Sequence, residues 1–235
     1  MLDRAREAGI ERILVPGWDL ASSEAAADLA ARHPDLVQAA VGIHPHDAAA
    51  MDERSWERIE QLAAEPVVRA IGEIGLDHFR DLSPRDVQRN ALDRQLDLAA
   101  RLDMPVLVHD REAHGDVEAA LLAWSGRIGS SARGVLHAFS GDAAMAHRLS
   151  GAGFLISFAL PVAFRSAQGP RAAAAALDAG RFVVETDAPY LGPDRERRNE
   201  PTTVLRVAAE LGRLRGEAPE GLVAPMRAAY EALVG

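Results

Sequence analysis

A chain of 235 residues with 48% hydrophobic and 26% charged residues can bury one large core and is too apolar to be disordered. Its formal net charge of −9 argues against charge-driven coating of duplex nucleic acid. The absence of cysteine excludes disulfides and thiolate sites, so any metal must be held by His, Asp or Glu.

No apolar run approaches the ~20 residues of a membrane span, and Met1-Leu2-Asp3-Arg4-Ala5-Arg6-Glu7 has no signal-peptide core. The cytoplasm is the expected compartment. Residues 2–9 read as a helix end stopped by Gly9, and Ile10 to Pro16 as a short buried strand leaving through Gly17-Trp18-Asp19. Ser22-Ser23-Glu24 opens a helix that runs to about His33, with Pro34 beyond it. The strand 37–43 delivers His44-Pro45-His46-Asp47 into a loop, and 52–64 is helical. The strand 67–74 carries Glu73 between Gly72 and Gly75, with Asp77 just after. Leu82-Ser83-Pro84 starts a long helix to about Leu102, with Ser83 at the cap and Pro84 at its first position. Strand 105–108 ends in His109-Asp110-Arg111-Glu112, a helix spans 116–124, and strand 134–136 ends in His137. A helix over 143–149, a strand over 153–158, a helix over 171–177 and the strand 182–187 follow. Helices over 201–215 and 219–233 close the chain.

Short apolar strands alternating with helices predict parallel βαβ units, about seven of them. A doubly wound sheet would show the same alternation. The polar residues favour a barrel: His44, Glu73, His109, His137 and Asp187 each stand where a strand ends, and in a barrel those ends converge on one catalytic rim. Singly, each has an ordinary structural reading, as a cap, a satisfied core histidine or a turn residue. Four acid or imidazole groups at equivalent positions (Glu73, His109, His137, Asp187) point instead to a divalent metal site, and mixed nitrogen and oxygen donors suit Mg, Mn or Zn. His44 and His46 lie at the same rim, with an ordinary polar loop as the plainer reading of His46. Arg111 could hold a phosphate in bidentate fashion, or only pair with Asp110 or Glu112. The charge run Asp194-Arg195-Glu196-Arg197-Arg198 reads as a solvated loop or a substrate-side basic segment. His33, His78, His114 and His147 are given no role.

The motifs Gly42-Ile43-His44-Pro45-His46, Gly72-Glu73-Ile74-Gly75-Leu76-Asp77, Val108-His109-Asp110-Arg111-Glu112-Ala113, Leu136-His137-Ala138-Phe139-Ser140-Gly141, Glu185-Thr186-Asp187-Ala188-Pro189-Tyr190-Leu191 and Arg198-Asn199-Glu200-Pro201 resemble, in order, the signatures of the TatD metal-dependent hydrolases. The resemblance covers nearly the whole chain. It implies an α/β TIM barrel of the amidohydrolase type, one domain over residues 1–235, holding one or two divalent ions. It also implies a deoxyribonuclease of 3′-to-5′ exonuclease character acting on single-stranded DNA or 3′ ends. Glu73, His109, His137 and Asp187 match the family's metal-binding positions. On this reading Glu73 binds or bridges the metal, Asp187 is also the general base, and His44, His46 and Arg111 steady the phosphate. A monomer is the default.

The family's opening strand with its His-x-His pair has no counterpart here, so the barrel is expected to lack its first strand, with the true start upstream. A barrel that hydrolyses a small amide, ester or lactone is the enzymatic alternative. A degenerate, metal-poor barrel that only binds a partner is the other.

Overall fold

The computed structural model describes residues 1–129, 133–193 and 198–235; of the run 194–198 only Arg198 falls within them, and the rest lies outside the described residues. In chain order the elements are α1 (Leu2–Glu7), β1 (Ile13–Pro16), α2 (Leu20–Arg32), β2 (Val37–Val41), α3 (Glu53–Ala63), β3 (Val68–Asp77), α4 (Arg85–Leu102) and β4 (Val106–Arg111). They continue with α5 (His114–Ile128), β5 (Gly134–Leu136), α6 (Ala143–Gly151), β6 (Phe154–Phe158), α7 (Gln168–Ala176), β7 (Phe182–Val184), α8 (Val204–Arg215) and α9 (Pro219–Val234). No helix of the described residues is long and apolar enough to cross a membrane.

Residues Arg12–Val135 form one compact unit, with Val234. Within it β1, β2, β3 and β4 pair in chain order, all parallel. Helices follow the strands, so both strand faces are buried and the apolar runs do not alternate: Ala39, Ala40 and Val41 of β2, and Ala70, Ile71, Ile74 and Leu76 of β3, are at most 2% exposed. Ile59 and Leu62 of α3 and Leu92, Leu96 and Ala99 of α4 supply the helical side of this core.

Met1–Glu11 and Leu136–Leu233 form the second unit, with Gly235. Here β6 and β7 are parallel, and Phe139, Phe158 and Phe182 meet edge to face with centroids 6.4 and 5.9 Å apart. The first residues are tied in by ion pairs from Arg4 to Glu200 at 2.7 Å and from Arg227 to Glu11.

Three local expectations are corrected. The second helix begins at Leu20, not Ser22, because Asp19 is its cap: its carboxylate accepts the Ser22 N–H at 2.8 Å while Ser22 Oγ accepts the Asp19 N–H at 2.9 Å. Ser83 does not cap α4, whose N-cap is Pro84; the buried Ser83 hydroxyl instead donates to His46 O at 2.9 Å and accepts the Ala49 N–H at 3.1 Å. Third, β3 runs on to Asp77 and β4 on to Arg111, so Glu73 and His109 lie inside strands. The two glycines around Glu73 allow that continuation. The pairing with β4 shifts register between Ile71 and Ile74, and Gly75, at φ +143°, passes so close that a Cβ there would fall 2.0 Å from His109 O.

Candidate metal centre

Helix α4 anchors this cluster with two glutamines seven residues apart, and therefore on one face. Gln95 Oε1 accepts the Ile43 N–H at 2.7 Å and its amide donates to Ile43 O at 3.1 Å, which fixes the backbone next to His44. Gln88 treats Asp77 the same way, accepting its N–H at 2.9 Å and donating to its carbonyl at 3.2 Å. Both glutamines are at most 1% exposed. Gln95→Leu strands a buried donor and acceptor and is expected to cost about 2–3 kcal/mol, read as a lower urea midpoint with an unchanged m-value.

In the unit Arg12–Val135, the ligand-type atoms of His44, Glu73 and His109 all lie within 4.8 Å of one another. His109 Nδ1 is 2.9 Å from Glu73 Oε1, and His109 Nε2 is 3.3 Å from Oδ2 of the fully buried Asp77. His46 Nε2 meets the same Oδ2 at 2.7 Å. Asp77 Oδ1 accepts the N–H groups of Phe79 and Arg80 at 2.9 and 2.7 Å. Burial alone would raise the Asp77 pKa, but the bonds from His109, the Arg80 N–H and His46 outweigh it and hold the carboxyl well below its ordinary range. Asp77 is thus an ionised acceptor, so the imidazole nitrogens that face it carry the protons.

That bookkeeping divides the histidines. With its proton on Nε2 toward Asp77, the tautomer that metal binding requires, His109 would offer Nδ1 on the side of Glu73 Oε1. A carboxylate oxygen and an imidazole nitrogen 2.9 Å apart are a mixed donor pair of the kind that would hold a divalent ion. The donor set therefore fits a divalent ion held by Glu73 and His109, with Asp77 orienting the imidazole from behind. His44 differs. Its Nδ1 accepts the His46 N–H at 3.1 Å, so its neutral ring is protonated on Nε2, 3.6 Å from Glu73 Oε1. His44 is a hydrogen-bond donor in this arrangement.

Burial is the main cause of a His44 pKa lowered to about 3; Glu73 opposes the shift and His109 and His46 add to it. The unfolded chain, with its histidine near 6.5, takes up this proton first. Stability from neutral His44 is therefore complete above pH 6.5 and lost as pH falls from there toward 3. Between pH 7 and 5 the loss is expected to be about 2 kcal/mol, and smaller by that amount in His44→Asn, when urea melts are compared at the two pH values.

In the unit that holds Leu136–Leu233, His137 follows β5 directly. Its Nδ1 lies 2.9 Å from Glu185 Oε1 and its Nε2 3.5 Å from Asp187 Oδ1. Glu185 also accepts the Ala138 N–H at 3.0 Å, so it orients His137 as Asp77 orients His109. Asn199 donates to Thr186 O at 2.6 Å and Tyr190 O at 2.7 Å, fixing the loop that carries Asp187. Arg111 is exposed at the end of β4, its guanidinium 4.1 Å from the Phe79 ring centroid.

Glu185, Gln88 and Gln95 were not among the expected site residues, and Asp77 was noted only as a neighbour of Glu73. Asp77 and Glu185 sit within four and two residues of an expected ligand, which was a usable signal. The equal spacing of the two glutamines on an otherwise amphipathic helix was another.

Parallel βα units that carry imidazole and carboxylate donors at their strands are the pattern of metal-dependent hydrolases of the TIM-barrel class. The family described as TatD related DNase matches residues 1–235, and the chain belongs to that family. It is 35% identical over 217 residues to the uncharacterized metal-dependent hydrolase YabD of Bacillus subtilis, covering 92% of this chain and 84% of YabD. It is 36% identical to the 3'-5' ssDNA/RNA exonuclease TatD of Edwardsiella piscicida, over 90% of this chain and 83% of that one. The crystal structure of YjjV, a TatD homologue from Escherichia coli, superposes with a TM-score of 0.90 at 31% identity, covering 99% of this chain and 90% of YjjV.

Proposed function

We propose that the chain hydrolyses phosphodiester bonds in single-stranded DNA from the 3′ end, with Glu73, His109, His137 and Asp187 as its metal-holding residues. The observation that carries this reading is the clustering of His44, Glu73 and His109, whose ligand-type atoms lie within 4.8 Å of one another, with Glu73 Oε1 2.9 Å from His109 Nδ1. The 3'-5' ssDNA/RNA exonuclease relatives, about as similar to this chain as YabD is, support the substrate class. A divalent cation, when bound, supplies positive charge to the phosphoryl oxygen and acidifies a water.

The chain's own groups do the rest. Asp187 accepts the proton of the attacking water at a carboxylate oxygen, as a general base. His44, kept neutral with its proton on Nε2, donates to a non-bridging phosphate oxygen, where charge accumulates as the bond breaks. Arg111 positions the same phosphate, whereas His46, expected there, donates its Nε2–H to Asp77 Oδ2 at 2.7 Å. The water oxygen bonds to phosphorus and the bond from phosphorus to the 3′ oxygen breaks; that oxygen takes a proton from bulk water to become the 3′-hydroxyl of the shortened strand, and Asp187 returns its proton to solvent. A 5′-mononucleotide is released. The reading further takes residues 1–235 as one catalytic domain working as a monomer in the cytoplasm, with size-exclusion chromatography as the check on assembly.

A 5′-labelled single-stranded oligonucleotide tests the polarity. With Mg or Mn it is expected to shorten in single steps from its 3′ end, and a phosphorothioate at the last linkage should arrest it. Internal cuts, or equal cleavage of the blocked strand, would overturn the exonuclease assignment.

A further inference from the structure

Two large aromatic residues, each about half exposed, are tied by backbone hydrogen bonds to His44 and Asp77, the neighbours of the Glu73–His109 pair. Trp18, 48% exposed, follows β1, and its carbonyl accepts the His44 N–H at 2.7 Å. Phe79, 53% exposed, donates its N–H to Asp77 Oδ1 at 2.9 Å, and its ring lies under the Arg111 guanidinium at 4.1 Å. Both bonds are made by the main chain, so they fix these two segments next to His44 and Asp77. Each keeps about half of its surface in water, which forgoes on the order of 1 kcal/mol of burial. The other tryptophans, Trp56 and Trp124, are buried.

We propose that Trp18 and the Phe79–Arg111 pair form a stacking platform for unpaired nucleobases on the strand whose phosphodiester is cleaved. The proposal deepens the nuclease reading and rests on it. A chain of net charge −9 gains little general attraction for a polyanion, so affinity for a strand must come from local contacts. Every base offers a π face, and stacking on an aromatic side chain contributes about 1–3 kcal/mol per base without sequence preference. A guanidinium held over Phe79 adds a flat cation to the same surface while its N–H edge stays available to phosphate. Bases in a duplex are already stacked on each other, so the platform selects unpaired strands.

The test compares two oligodeoxythymidylates, one ordinary and one with abasic residues at its 3′ end, so that the phosphodiesters match and only the bases differ. In the wild-type protein with Mn, KM for the abasic strand is expected to exceed that for the ordinary strand by about tenfold or more. In Trp18→Ala and Phe79→Ala that ratio should fall toward one, through a higher KM on the ordinary strand. In chelator, where nothing is cleaved, the ordinary strand should quench tryptophan emission saturably, and this reports Trp18 because the other two indoles are buried. A wild-type ratio near one, a ratio unmoved by both substitutions, or no quenching would overturn the platform while leaving the nuclease reading intact. Failure of the wild-type protein to cleave either strand would overturn the nuclease reading, and the platform with it.

Discussion

Replacing Glu73 with glutamine is expected to lower turnover on single-stranded DNA by about 10³-fold or more while leaving the fold in place. The side chain keeps its shape, and its backbone N–H still donates to Gly17 O at 2.8 Å. What disappears is the negative charge 2.9 Å from His109 Nδ1. The amide can also turn its NH2 group toward that nitrogen, satisfying the lone pair that would otherwise hold an ion. The loss should therefore show as weak metal binding by calorimetry as well as low turnover, with far-UV circular dichroism and melting temperature close to wild type. A variant that retains both turnover and tight metal binding would remove Glu73 from the centre.

Asp77→Asn is expected to weaken metal binding by about 10–100-fold although the residue touches no metal in this account. Four donors point at this carboxylate: two backbone N–H groups on Oδ1 and two imidazole nitrogens on Oδ2. Backbone N–H groups cannot become acceptors, so the amide oxygen of asparagine must face them and its NH2 must face the histidines. His109 then has to accept at Nε2, which moves its own proton to Nδ1, the atom that faces Glu73. Nitrogen NMR of the metal-free protein should report that change of tautomer, which a merely loosened structure would not produce. An unchanged His109 tautomer with unchanged metal affinity would contradict this assignment.

Much of this was legible in the sequence, because the signals are local. Apolar runs alternating with amphipathic segments locate the seven strands of the described residues and the helices between them, and Pro219 and Gly9 mark ends where backbone chemistry demands. The histidines and acids at strand ends stood out because no core requires them there. What stayed hidden depends on tertiary contact. Gly72 and Gly75 look like an exit from a strand, yet they are places where β4 passes too close for a side chain. Ser83-Pro84 has the form of a helix cap, but the hydroxyl is drawn to the His46 carbonyl. The division of labour among His44, His46 and His109 is set by which nitrogen faces Asp77 and which faces a backbone N–H, and no spacing encodes that. Trp18 and Phe79 are ordinary aromatic letters until their exposure is seen.

The most direct test of metal-dependent phosphodiester hydrolysis is degradation of labelled single-stranded DNA by the purified chain, first stripped with chelator and then titrated with Mg or Mn. No cleavage is expected in chelator, with recovery that rises with added metal and saturates. Cleavage that persists in chelator, or a stripped protein that stays silent at saturating metal, would contradict metal-dependent hydrolysis.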